Sequence, residues 1–247
     1  MTIQFEGTHL SCTAPHYPMP PLTYKNNRML FITFKTSPDL LRALVPEPLA
    51  VNPAGLVTIY VGALNVADPV HFSYHEAGIM IPASYMGKEG NYMPVLYLDQ
   101  ALPIMVGREI WGFPKFQAEL GLEVEGGMVR AHVIMNGVSL IDATLHMSEP
   151  IPHKASTPLT IFLLKSIPSV TGSPPYDVNQ LTTAVLRDSV NSEVRPGMAT
   201  LHLRSTPSDP LNMIPVLEIV SGVYVIGGFV LDYGEVIYDY LTKEKAF

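Results

Sequence analysis

Leu120-Gly-Leu-Glu-Val-Glu-Gly-Gly-Met-Val-Arg-Ala-His-Val-Ile134 decides the fold class. Leu120, Leu122 and Val124 alternate with glycine and glutamates, the two-residue period of a strand with one wet face. Gly126-Gly127 is a hairpin turn between that segment and the one from Met128 onward, because tight hairpins need residues that tolerate positive φ. Outward from this hairpin the same pattern recurs. Met29–Phe34, Leu56–Val61, Val95–Leu98, Ser139–His146 and Val223–Leu231 are short runs rich in β-branched and aromatic residues. Between them lie 23 prolines, which a long helix cannot hold in its interior. Three short helices are expected. Ser37–Val45 opens on a capping serine and a proline and stops at Pro46; Thr157–Lys165 opens the same way; a third covers Pro215–Val220. The expected fold is mostly β (α+β): an antiparallel closed β-barrel with a few short flanking helices, since closure removes exposed edges. No repeat or linker divides residues 1–247, so one domain is expected.

Composition narrows the function. Only 15% of the 247 residues are charged and 47% are hydrophobic, yet Pro, Gly or a charge interrupts every apolar run before membrane-spanning length. The net charge of −7, without any basic run, argues against nucleic acid or an anionic membrane as partner. A small-molecule substrate fits, as does a homo-oligomer that covers apolar surface. The N-terminal residues lack a basic stretch followed by an apolar core, so a cytoplasmic protein is expected. A single cysteine, Cys12, excludes an internal disulfide framework and lacks a basic neighbour to activate it.

Most catalytic motifs are missing. His71 and His75 are four apart but have no further ligand cluster, and no metal site is expected. There is no Gly-x-Ser-x-Gly elbow and no glycine-rich phosphate loop. Arg108 and Glu109 suit either a pocket or an ion pair. His132 and His146 alternate with apolar residues as strand surface, and Tyr238 and Tyr240 fit packing.

Lysine is more informative. Of eight lysines, two sit among apolar residues: Lys115 in Ile110-Trp-Gly-Phe-Pro-Lys-Phe116, and Lys165 at the end of Ile161-Phe-Leu-Leu-Lys165. A lysine held among apolar groups loses the solvation that favours its charged form, and its pKa falls. A neutral amine attacks ketones to form Schiff bases. The other reading is that each lays its stem on apolar surface with the ammonium in water. Local context leaves both open.

Gly107-Arg-Glu-Ile-Trp-Gly-Phe-Pro-Lys115 closely resembles the active-site signature of the acetoacetate decarboxylase family. Val45-Pro-Glu-Pro-Leu49, Glu76-Ala-Gly-Ile-Met-Ile-Pro82 and Tyr97-Leu-Asp99 precede it in the family's order. Leu164-Lys-Ser-Ile-Pro168, Gly172-Ser-Pro174, Pro215–Val220 and Val236–Leu241 follow. The resemblance implies an antiparallel barrel assembled into oligomers. It makes Lys115 the Schiff-base lysine, Glu76 the pocket glutamate beside it and Arg28 the arginine that orients the glutamate. A lysine activated by its surroundings is an established property of acetoacetate decarboxylases. No metal or organic cofactor is implied.

Two departures stand out. Phe116 follows the signature lysine where the family has a second lysine, and Tyr60 replaces a pocket glutamate. Trp111, Phe113, Met93, Phe116 and Tyr60 are the expected substrate-binding residues. The expected activity is decarboxylation of acetoacetate or a related 3-oxo acid through Lys115. The alternatives are a Schiff-base aldolase-dehydratase condensing pyruvate with an aldehyde, and a non-catalytic barrel binding a small molecule.

Overall fold

The β-branched runs become long antiparallel strands, joined at glycine-bearing turns. The computed structural model describes residues 17–152 and 157–242; Cys12 lies outside them. The strands are β1 (Leu22–Lys35), β2 (Ala50–Val51), β3 (Leu56–Asp68), β4 (Phe72–Tyr85), β5 (Lys88–Tyr92), β6 (Leu96–Leu98) and β7 (Lys115–Gln117). They continue with β8 (Glu119–Glu125), β9 (Met128–Met135), β10 (Val138–Met147), β11 (Leu159–Pro168), β12 (Tyr176–Leu203), β13 (Glu218–Leu231) and β14 (Glu235–Asp239). Helix α1 (Pro38–Leu44) lies where the proline at its first turn places it, and α2 (Ala101–Val106) runs into a π-helical turn at Gly107–Trp111.

The hairpin that decided the fold class forms as expected. Gly126 and Gly127 have φ of 56° and 80°, and Glu125 faces Met128 across the ladder. Hydrogen-bonded neighbours follow the order β11-β5-β4-β3-β1-β13-β12-β10-β9-β8, and β11 also pairs with β12. Strand pleat sorts the side chains into two apolar clusters. On β1, Leu30, Ile32 and Phe34 enter one, while Met29 and Phe31 pack against the other.

Two expected helices are strands. Thr157–Lys165 contributes to β11, which pairs antiparallel with β12 and parallel with β5. Ile161, Phe162 and Leu163 are all buried, so both faces of this strand are covered. Such a strand has a continuous apolar run, which periodicity cannot tell from a buried helix. Pro215–Val220 is likewise no helix: Glu218 and Ile219 begin β13 and pair with Lys35 and Phe34. α2, by contrast, was not foreseen, since Pro103 sits inside it, in its first turn, where no backbone N–H is required.

Candidate active site

The site is built on β3 and β4, with β7 brought alongside by β6. On β4, Tyr74 and Glu76 are two residues apart and share a face. Across the β3–β4 ladder Gly62 faces Glu76 and Gly78 faces Tyr60, so Tyr60 sits diagonal to Glu76 on that face. Gly78 makes this possible, because a Cβ there would lie 2.7 Å from the Tyr60 ring. The phenol donates to Glu76 Oε1 at 2.5 Å.

Lys115 arrives by a different route. β6 pairs with β4 on one side and, in parallel, with β7 on the other, setting Lys115 opposite Leu96. Before β7 the chain turns through Gly107–Trp111 and ends at Gly112, which is left-handed with φ 86°. π-helical turns of this kind are frequent at functional sites. The N–H groups of Gly112 and Phe113 both donate to the Gly107 carbonyl at 3.1 Å. The lysine stem crosses Gly107 so closely that a Cβ there would come within 2.7 Å of Cδ and 2.8 Å of Cε. Nζ ends 2.9 Å from Glu76 Oε2, with both side chains buried. It lies 5.1 Å from the centre of the Phe113 ring and 5.8 Å from that of Tyr74.

Behind this pair the Tyr24 and Tyr74 hydroxyls meet at 3.1 Å. Burial pushes the phenols of Tyr24, Tyr60 and Tyr74 above the ordinary tyrosine range, and the nearby Glu76 carboxylate adds to the rise in each. All three keep their protons throughout the neutral range. Lys115, Glu76 and the three tyrosines open onto a cavity of about 330 Å³, walled largely by apolar side chains. Glu76 and Lys115 are the only charged residues among the described lining.

The model of the family described as "Acetoacetate decarboxylase (ADC)" matches residues 10–241. The chain belongs to the acetoacetate decarboxylase family. An acetoacetate decarboxylase of Paraburkholderia xenovorans is 35% identical over 239 residues, covering 95% of this chain and 93% of the relative. The crystal structure of acetoacetate decarboxylase from Legionella pneumophila superposes with a TM-score of 0.85 at 30% identity, covering 96% of this chain and 94% of that one. The enduracididine biosynthesis enzyme MppR, complexed with pyruvate, shares the fold at 18% identity and TM-score 0.78, covering 95% and 94%. Acetoacetate decarboxylase family membership makes this chain an enzyme of the carbon–carbon lyase class.

Of the residues singled out from the family signature and its surroundings, Lys115, Glu76, Tyr60, Phe113 and Met93 line the cavity. Arg28, Phe116 and Trp111 do not. Arg28 is exposed, one residue before Met29, which does line the cavity, so the pleat turns it to the opposite face of β1. The groups that contact the Glu76 carboxylate are Tyr60 and Lys115. Phe116 follows Lys115 on β7 and points away for the same reason, 45% exposed, with the Arg108 guanidinium 5.7 Å from its ring centre. Trp111 is fully buried behind the turn and donates from Nε1 to the Asp232 carbonyl at 2.9 Å. Its own carbonyl accepts from Thr182 Oγ1 at 2.6 Å. Trp111 thus pins the turn that aims Lys115.

Arg108 serves the same turn, donating to the Lys115 carbonyl at 3.2 Å, and Glu109 accepts from the Tyr17 hydroxyl at 2.6 Å. Lys165 is half-buried, and burial lowers its pKa; its Nζ donates to the Ile110 carbonyl at 3.1 Å and its stem packs under Gly112. His71 precedes β4, and His75 Nδ1 faces Asp99 Oδ2 at 2.8 Å. Tyr24 and Tyr74 went unnoticed in the sequence. Tyr74 carried a signal: a residue two before Glu76 on a strand shares its face.

Proposed function

We propose that this chain is a Schiff-base-forming lyase that decarboxylates a 3-oxo acid at Lys115. The observation that carries the reading is the buried Lys115–Glu76 pair, with 2.9 Å between Nζ and Oε2, facing a cavity whose other described lining is uncharged. In its neutral form the Lys115 amine attacks the ketone carbon of the substrate. Glu76, the acid–base group touching Nζ, moves protons between nitrogen and oxygen so that water leaves and a protonated imine remains. The electrons of the bond to the carboxylate then flow into the C=N⁺ group. Carbon dioxide departs and an enamine is left. Its carbon takes a proton, water attacks the imine, and the ketone is released with the amine restored.

The surroundings suit those steps. Tyr60 holds one Glu76 oxygen and leaves the other toward Nζ. The ring faces of Phe113 and Tyr74 lie near enough to stabilise a cationic imine nitrogen. With Lys115 the only cation among the described lining, the substrate carboxylate rests against apolar wall, an environment that favours losing charge as carbon dioxide.

Borohydride reduction in the presence of acetoacetate, followed by peptide mass spectrometry, tests the reading. The expected product is an adduct on Lys115 without the carboxylate mass. An adduct that keeps a carboxylate, obtained with pyruvate instead, turns the assignment to aldol chemistry. Absence of any adduct favours a binding barrel. The β11–β12 pairing supports reading the ring of ladders as a closed barrel forming one domain. The low charged content, 15% of residues, supports association of copies into a homo-oligomer that covers apolar surface.

A further inference from the structure

The geometry points to a 3-oxo acid with an unbranched apolar chain beyond the ketone as the substrate, longer than the methyl group of acetoacetate. This rests on the Schiff-base reading above and concerns what the rest of the cavity holds. The seven non-hydrogen atoms of acetoacetate, at up to roughly 30 Å³ for each water-sized group, take at most about 200 Å³. The cavity measures about 330 Å³. At least about 100 Å³ is left over, room for a chain of about three or four further carbons at the same rate.

The character of that extra space is as informative as its size. Lys115, Glu76, Tyr60 and Tyr74 meet on the β3, β4 and β7 side. Met29 and Phe31 on β1, Val225 and Leu231 on β13, and Leu186 on β12 carry a mostly apolar wall onward, with Ser189 and Asn191 of β12 its polar members. Strand β13 is three ladders from β4 in the sheet order, about 14 Å measured along the sheet. A four-carbon acid bound at Lys115 would leave this apolar wall in contact with water. A longer chain would remove it from water. Glu76 and Lys115 are the only charged groups among the described lining, so that lining offers no partner for a second carboxylate or an ammonium group. Met29, Met80 and Met93 supply unbranched, adaptable side chains, which suit a flexible alkyl chain. Tyr60 strengthens the argument: its hydroxyl is turned to Glu76 Oε1, so its ring offers an apolar surface where a carboxylate would otherwise stand.

The test compares kcat/KM for 3-oxobutanoate, 3-oxohexanoate and 3-oxooctanoate, corrected for spontaneous decarboxylation. Each methylene buried from water is worth roughly fourfold, so the first step should gain about 15-fold. In parallel, acetone, 2-pentanone and 2-heptanone are trapped on Lys115 with borohydride; they form the imine without losing carbon dioxide. The concentration for half-maximal labelling should fall with chain length by the same factor. Val225→Phe and, independently, Leu186→Phe fill the far wall, and each should lower the 3-oxooctanoate to 3-oxobutanoate ratio at least tenfold. Carbon dioxide release with no chain-length preference in either series would overturn the chain-length assignment and leave the decarboxylase reading intact. Labelling that improves with chain length but releases no carbon dioxide from the acids would uphold the pocket assignment and overturn decarboxylation. No labelling by any ketone would overturn both.

Discussion

Gly107→Ala separates the fold from the chemistry. Gly107 has φ −65° and ψ −44°, ordinary right-handed helical values, so no backbone strain opposes a side chain there. Within a helix Ala is favoured over Gly by about 1 kcal/mol, and on backbone grounds the variant should be as stable as the parent or slightly more so. The added methyl, however, meets the lysine. Its distances to Cδ, Cε and Nζ would be 2.7, 2.8 and 3.0 Å, against an ordinary contact of 3.4–4 Å. Relieving these contacts moves the outer stem by about half an ångström to an ångström. The Phe113 and Tyr74 rings stand 5.1 and 5.8 Å from Nζ and limit where the stem can go.

Because the methyl displaces a flexible chain end, the thermal cost is small. Because Nζ is the reacting atom in the proposed reaction, the kinetic cost is large: a misplacement of about 1 Å costs on the order of 100-fold. The expected result is a melting temperature within about 3 °C of the parent, with kcat/KM and the rate of borohydride labelling both down about 100-fold. Labelling at the parental rate in the folded variant would refute the idea that Gly107 seats the nucleophile.

Tyr60→Phe removes a buried hydrogen bond to a carboxylate, worth about 1.5–3 kcal/mol, and frees Glu76 to rotate; the urea midpoint should drop accordingly and kcat fall more than tenfold, while an unchanged kcat would show that Glu76 needs no such anchor. Phe116→Lys restores the second lysine usual in the family but points it outward from β7, so kcat/KM should change less than threefold; a larger change would mean that the residue acts on the cavity. Alkaline stability tests the tyrosine cluster: Tyr24, Tyr60 and Tyr74 are raised above 10.0 in the folded state, so the unfolded chain loses their protons first. Stability should be level up to about pH 9.5 and then fall as pH rises through and beyond 10, by about 1.4 kcal/mol per pH unit for each tyrosine. Urea titrations from pH 8 to 11 would show it, and a stability curve that rises across this range would contradict their buried, protonated state.

What could be read from the chain and what could not divide along a physical line. The Leu120–Ile134 hairpin was legible because its turn and its alternation are local: Gly126 and Gly127 fix the reversal, and one wet face keeps the period. The approach of Lys115 to Glu76 was legible only through the family signature, since β6 brings the two together and neither neighbourhood names the other. Arg28 shows why the remaining positions were not. Between Tyr24 and Asn27 the β1 ladders shift register, with Asn26 at φ 55°, and Tyr24 and Met29 both face the cavity although they are an odd number of residues apart. A bulge of this kind reverses the alternation that pleat counting relies on. Counted from Tyr24 without the bulge, Arg28 would face the glutamate; with it, Met29 takes the inward place. One unpaired residue thus replaces a cation in the wall with a thioether, and the described lining keeps a single charged pair among mostly apolar side chains.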